Sequence, residues 1–178
     1  MGFYFDFENA DAFVTGAIGR PGERTFYLQV RAEGRTISIK CEKEQVRELA
    51  KYLRTLLNDL PDAGGAARFL PTGLEQPVDQ DFILGSIGLG IDHSNARMVV
   101  QLEEMVMIDE DDDVDDSFLV DEDEDDLQPS AAVRVLITPA QAHAFCESAE
   151  SVVDAGRAPC KLCGAPKNPS GHFCPRLN

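Results

Sequence analysis

The chain has no tryptophan, only 7 % aromatic residues, and half as many basic side chains as acidic ones. Sixteen Lys and Arg against 32 Asp and Glu give a net charge of −16, a field that repels nucleic-acid phosphates and anionic lipid surfaces. No apolar run approaches the roughly 20 residues that a membrane-spanning helix needs. Asp6 and Glu8 follow the start so closely that no cationic leader precedes an apolar stretch. The five cysteines are an odd number, and three of them crowd into the last 19 residues. That is not a disulfide framework; it fits metal thiolates in a reducing cytoplasm, with no membrane attachment.

What is present is enough apolar material, 43 % of 178 residues, for one domain with a real core and an appendage. The acidity is local. Residues 109–126 hold 13 acidic side chains in 18 positions, and without them 16 basic residues face 19 acidic ones. By contrast, residues 157–178 carry Arg157, Lys161, Lys167 and Arg176 and no side-chain acid. Two attachments of opposite charge on a nearly neutral body are expected.

The body reads as an internal repeat. Phe13-Val-Thr-Gly-Ala-Ile-Gly19 resembles Phe82-Ile-Leu-Gly-Ser-Ile-Gly88, and each copy leads into two segments that alternate with the period of a half-buried strand. In the first half these are Thr25–Arg31 and Thr36–Lys40, in the second Arg97–Leu102 and Ala132–Ile137. A helix then closes each half: Val46, Leu49, Leu53, Leu56 and Leu57 make one apolar stripe, and Ala142, Phe145, Ala149, Val152 and Val153 make the other, in register when Gln45 is set against Gln141. Thr138, Pro139 and Gln141 form a helix-start signature, and Gly156 is the expected stop. The expected architecture is α+β: duplicated strand-strand-strand-helix units (13–60 and 82–156) forming a pseudo-twofold antiparallel sheet of six strands with both helices on one face. Residues 1–156 are then the domain, 61–81 a linker, and 109–126 an overgrown hairpin loop.

The tail, 157–178, carries the strongest chemical signal. Cys160-x-x-Cys163-Gly164 lets a tight turn aim two sulfurs at one ion, and His172 and Cys174, two apart, leave the same face of an extended segment. A Cys3His set favours a structural Zn²⁺ in a small knuckle-like clip, because no coordination position is left for water. The segment has little else to hold it in order.

Phe13-Val-Thr-Gly-x-x-Gly-x-Pro-Gly-Glu-Arg-Thr-Phe-Tyr-Leu-Gln29, Leu136-Ile-Thr-Pro-Ala-Gln-Ala and Cys160-x-x-Cys-Gly-x-Pro-x-x-Pro-x-Gly-His-x-Cys-Pro-Arg176 resemble an actinobacterial family known as DUF3090. The resemblance covers most of the chain outside the acidic stretch. It implies a cytoplasmic actinobacterial protein and brings no activity with it.

Other features carry weaker chemistry. Gly16-x-x-Gly19-x-x-Gly22 lacks a phosphate-loop ending and leads into a strand, so it reads as a turn, with Arg20 and Arg24 flanking it as a possible anion site. His93 and His143 stand in no nucleophile signature, and Cys41 and Cys146 read as buried small hydrophobes. The acidic stretch is no EF-hand, since it lacks the sixth-position Gly and has Val120 where the bidentate Glu belongs. Phe118, Leu119 and Val120, set within that acid, are candidates for partner binding. The functional expectation is a non-catalytic protein-binding or adaptor module. Its rivals are a nucleic-acid binder using the sheet and basic tail, which the charge opposes, and an enzyme or sensor taking an anionic small molecule near Arg20 and Arg24.

Overall fold

Alternating Phe3, Phe5 and Phe7 open the fold as β1 (Phe3–Phe7), a strand beyond the six expected. The computed structural model describes residues 3–60, 70–106, 131–167 and 171–176. The first half runs β2 (Ala12–Ile18), β3 (Thr25–Ala32), β4 (Arg35–Cys41) and α1 (Lys43–Leu57). The second runs β5 (Gln80–Asp92), β6 (Arg97–Glu104), β7 (Ala131–Ile137) and α2 (Pro139–Asp154). Among the described residues, seven strands and two helices make the α+β class expected. The acidic stretch 109–126 lies outside the described residues, between β6 and β7.

The sheet is mixed, not antiparallel. Its strand order is β1-β7-β6-β5-β4-β3-β2. Each half is an antiparallel meander, but β5 runs parallel to β4, with Phe82 opposite Ile39, and β1 runs parallel to β7, with Phe7 opposite Val135. The physical reason is the connection: α1 carries the chain back past β4, so β5 must re-enter in β4's direction.

The two ends of this strand order meet. In a flat sheet the outer strands of seven would stand about 29 Å apart at about 4.8 Å per step. Yet β1 and β2 are joined by Glu8 to Asp11 alone, a link that reaches about 18 Å at most from Phe7 to Ala12. Two neighbouring residues show the closure directly: Ala10 N–H donates to Leu136 O of β7 at 3.3 Å, and Asp11 N–H donates to Arg31 O of β3 at 2.7 Å. The chain passes from one meander to the other within one residue. β5 does the same on the opposite side, pairing with β4 through Ile83 and with β6 from Leu84 onward.

At both crossings a helix-capping glutamine completes the join. Gln141 Oε1 accepts from Thr138 N–H at 2.9 Å, while its Nε2 donates to Ala10 O at 2.7 Å. Gln45 Oε1 accepts from Glu42 N–H at 2.8 Å, and its Nε2 donates to Leu84 O at 3.2 Å. The helix start signature around Thr138 is as expected. α2 ends at Asp154 with Ala155 as its cap, and Gly156 does not take the left-handed conformation expected of a stop.

Register also corrects the sequence repeat. Phe13 lies opposite Val30 as Ile87 lies opposite Leu102, and Phe7 lies opposite Val135 as Phe82 lies opposite Ile39. Phe13 thus stands in an antiparallel pair and Phe82 in a parallel one. The Phe-x-x-Gly-x-Ile-Gly match pairs residues that occupy different places, because a strand's apolar period of two repeats every few residues and permits slipped alignments.

One buried apolar cluster draws on all seven strands and both helices, which pack against each other. Phe145 of α2 stacks on Phe13 of β2 with ring centroids 4.7 Å apart. The other side of β2–β4 is covered by residues of the expected linker. Fully buried Gln29 donates to Glu75 O at 3.1 Å and accepts from Glu75 N–H at 2.7 Å, and Leu74 packs so closely on Gly16 that a Cβ there would come within 2.6 Å. This stretch is a strap on the sheet.

Gln141→Ala removes a cap bond and leaves the half-buried Ala10 carbonyl without its side-chain donor, so it should cost about 2 kcal/mol. Gln45→Ala, at a more exposed crossing, should cost about half of that. Chemical denaturation of the two variants measures both; equal small effects would remove the glutamines from the joins.

Candidate metal centre

The tail folds against itself before any ion is considered. Cys160 N–H donates to Ala165 O at 2.7 Å, Gly164 N–H to Cys160 O at 2.8 Å and Lys167 N–H to Ala158 O at 2.9 Å, and Pro159 faces Pro166 across a single antiparallel bridge. Gly164 takes φ +75° and Gly171 takes φ +114°. Both values lie where a side chain is strained, so glycine is needed after the second cysteine and before the histidine.

These turns bring Cys160, Cys163, His172 and Cys174 together, with their ligand atoms all within 4.8 Å of one another. Cys160 and Cys174 are buried, and their sulfurs lie 3.8 Å apart. A tetrahedral ion bound at about 2.3 Å has sulfur–sulfur edges of about 3.8 Å, so the donor set fits one. Cys163 Sγ meets His172 Nε2 at 3.0 Å on the other edge of the cluster. Backbone N–H groups of Cys163 and then Leu162 pull the Cys160 thiol from 9.0 down to about 6, which favours the thiolate a metal requires. Burial pushes Cys174 the opposite way. Arg176 Nη1 donates to Leu162 O at 2.9 Å and so ties the end of the tail to the first turn. Sequence reasoning assigned Arg176 no role; its place two residues after the last cysteine was the available signal.

The other expected residues are dispersed. Arg24 is half-buried, donates through Nη1 to Val152 O at the end of α2 at 3.0 Å, and stands over the Phe26 ring. Arg20 is exposed and does not join it. Phe118, Leu119 and Val120 lie outside the described residues. His143 is exposed beside Glu147, and His93 sits in the β5–β6 turn. Cys41 is buried, and desolvation raises its thiol from 9.0 to about 12; buried Cys146 donates to Ala50 O of α1 at 3.3 Å. Both behave as core side chains.

Among the described residues, fold and site together define an α+β protein of seven strands in a mixed sheet and two helices, with a C-terminal Cys/His cluster that could hold a metal ion. The chain belongs to the family described as Protein of unknown function (DUF3090), whose pattern matches residues 5–174, nearly its whole length. No curated protein and no solved structure matches it.

After chelation, raising the pH should generate one thiolate near pH 6, because the Cys160 thiol is held below its ordinary value. Ultraviolet thiolate absorbance across pH 4–10 (about the range that brackets cysteine titration) measures it. The step should vanish in Cys160→Ser; a first step near the ordinary cysteine value would show that the turn around Cys160 forms only with the ion bound.

Proposed function

We propose that the chain is a non-catalytic, cytoplasmic protein-binding module whose tail is held by a structural Zn²⁺. Zinc suits three thiolates and an imidazole in a tetrahedral set, and four protein ligands leave no position for a reacting water. The cysteine usage supports a reducing compartment.

The observation that carries the binding role is the placement of Leu162 and Phe173. Each lies between two ligands, Leu162 between Cys160 and Cys163, Phe173 between His172 and Cys174. Leu162 is 48 % exposed and Phe173 is 80 % exposed. Ligands facing the ion force the residue between them outward, so the same bonds that order the tail hold two large apolar groups in water. Lys161 precedes Leu162, Arg176 reaches the Leu162 carbonyl, and both are exposed, as is Lys167. An acidic partner surface with an apolar pocket matches that pattern. The acidic stretch, with Phe118, Leu119 and Val120, is a second candidate contact supported by sequence alone.

Protein purified without chelator should contain about one zinc per chain, lost in Cys163→Ser while the melting of the body is unchanged. Elemental analysis without zinc would overturn the metal assignment. In pull-downs from native lysate, the partner retained by the zinc-loaded protein should be lost with Leu162→Ser/Phe173→Ser, which keeps all four ligands. Retention of the same partner by that variant would remove the tail as the binding surface. Loss on replacing Phe118, Leu119 and Val120 by Ser instead would move it to the acidic stretch.

A further inference from the structure

We propose that the cavity between the Gly22 turn, the start of α1 and the base of the tail binds a phosphate-bearing small molecule. The cavity measures about 460 Å³ and is lined by Arg24, Lys43 and Arg157, with Asp154 as its one carboxylate. The three cations come from three distant places in the chain: the turn before β3, the first residue of α1, and the segment after α2.

Their heads converge. A Cβ at Gly156 would lie 3.5 Å from Lys43 Nζ and 3.6 Å from Arg24 Nη2, so both heads flank one point on the cavity wall. A Cβ at Gly22 would lie 3.5 Å from Arg157 Nε. Gly156, which does not serve as a left-handed stop, instead leaves the space between Lys43 and Arg24 open.

Lys43 and Arg24 at one point of the wall are electrostatically unfavourable when left to themselves. Like charges at this range repel. Lys43 also sits at the positive end of a helix dipole and forms no ion pair among the described residues. Arg24 is anchored through Nη1 to the α2 carbonyl and through its face to Phe26, and so is held in place before any ligand arrives. Neutralising the end of α2 accounts for that one bond of Arg24; it does not account for Lys43.

Charge and shape set the ligand class. Lys43 and Arg24 on one wall, with Arg157 also in the lining, make the cavity a cationic one, which suits the dianionic head of a phosphate monoester at neutral pH. Guanidinium forks suit its oxygens in pairs. The cavity is too large for a bare anion, and Phe26, Val153, Pro159 and Pro166 supply apolar wall for the body that carries the phosphate. This site is separate from the exposed Leu162 and Phe173 and does not depend on the protein-binding reading. It narrows the sequence-level pair of arginines to Arg24 and adds Lys43 and Arg157.

Calorimetric titration of the full zinc-loaded chain with phenyl phosphate tests the assignment. Saturable binding is expected, weakened about tenfold or more by Lys43→Gln and again by Arg157→Gln, as the loss of a charge-assisted bond implies. Arg20→Gln, outside the cavity, should leave it unchanged. Benzoate and inorganic phosphate should each bind more weakly than phenyl phosphate. No saturable binding, indifference to Lys43→Gln, or equal binding of benzoate would overturn the proposal. Circular dichroism of each variant verifies that the fold is intact.

Discussion

Four residues, Glu8 to Asp11, join strands that stand at opposite ends of the hydrogen-bonded strand order. That link is shorter than a flat seven-stranded sheet would allow, so the sheet must close. Closure leaves β1 and β5 to pair parallel where the halves meet, and puts every strand and both helices around one apolar cluster. It also explains why a capping glutamine stands at each crossing. A carbonyl where the chain leaves one meander for the next has lost its regular ladder partner, and Gln45 and Gln141 supply the donor.

The tail obeys a different physics. None of the tail's described residues joins the buried apolar cluster of the body, and its pairing at Pro159 and Pro166 is a single bridge. Order there comes from ligand chemistry and two glycines with positive φ. A small module ordered by bonds to an ion, and not by burial, is free to leave apolar side chains outside. That is why Leu162 and Phe173 are informative, whereas an exposed apolar residue on the body would say little. The body and the base of the tail also share the cavity of Arg24, Lys43 and Arg157, so charge is concentrated where the two kinds of order meet.

The elements were legible where local chemistry repeats. The helices follow from stripes at spacings of three and four, and the start of α2 from Thr138, Pro139 and Gln141. The Cys3His cluster was legible because C-x-x-C-G and H-x-C impose their own local geometry. β1 was not identified, although Phe3, Phe5 and Phe7 alternate, because five residues are a weak signal beside seven-residue motifs. The slipped match of Phe13 with Phe82 failed for a related reason: short Gly- and Phe-bearing strands look alike at several offsets, and only hydrogen-bond register decides among them.

The sequence by itself determined six of the seven described strands and both helices, their order in each half, and the four residues that meet in the tail. These rest on neighbours within a few residues of one another, where periodicity and backbone preference act directly. The tertiary structure alone decided the parallel joins, the closure through Ala10 and Asp11, and the strap of Leu74 and Glu75 over Gln29. It alone brought Arg24, Lys43 and Arg157 to one cavity from opposite ends of the chain. Each of these depends on the spatial order of strands, which is fixed by burying one common core and satisfying every backbone group around a closed sheet, and no local pattern encodes that.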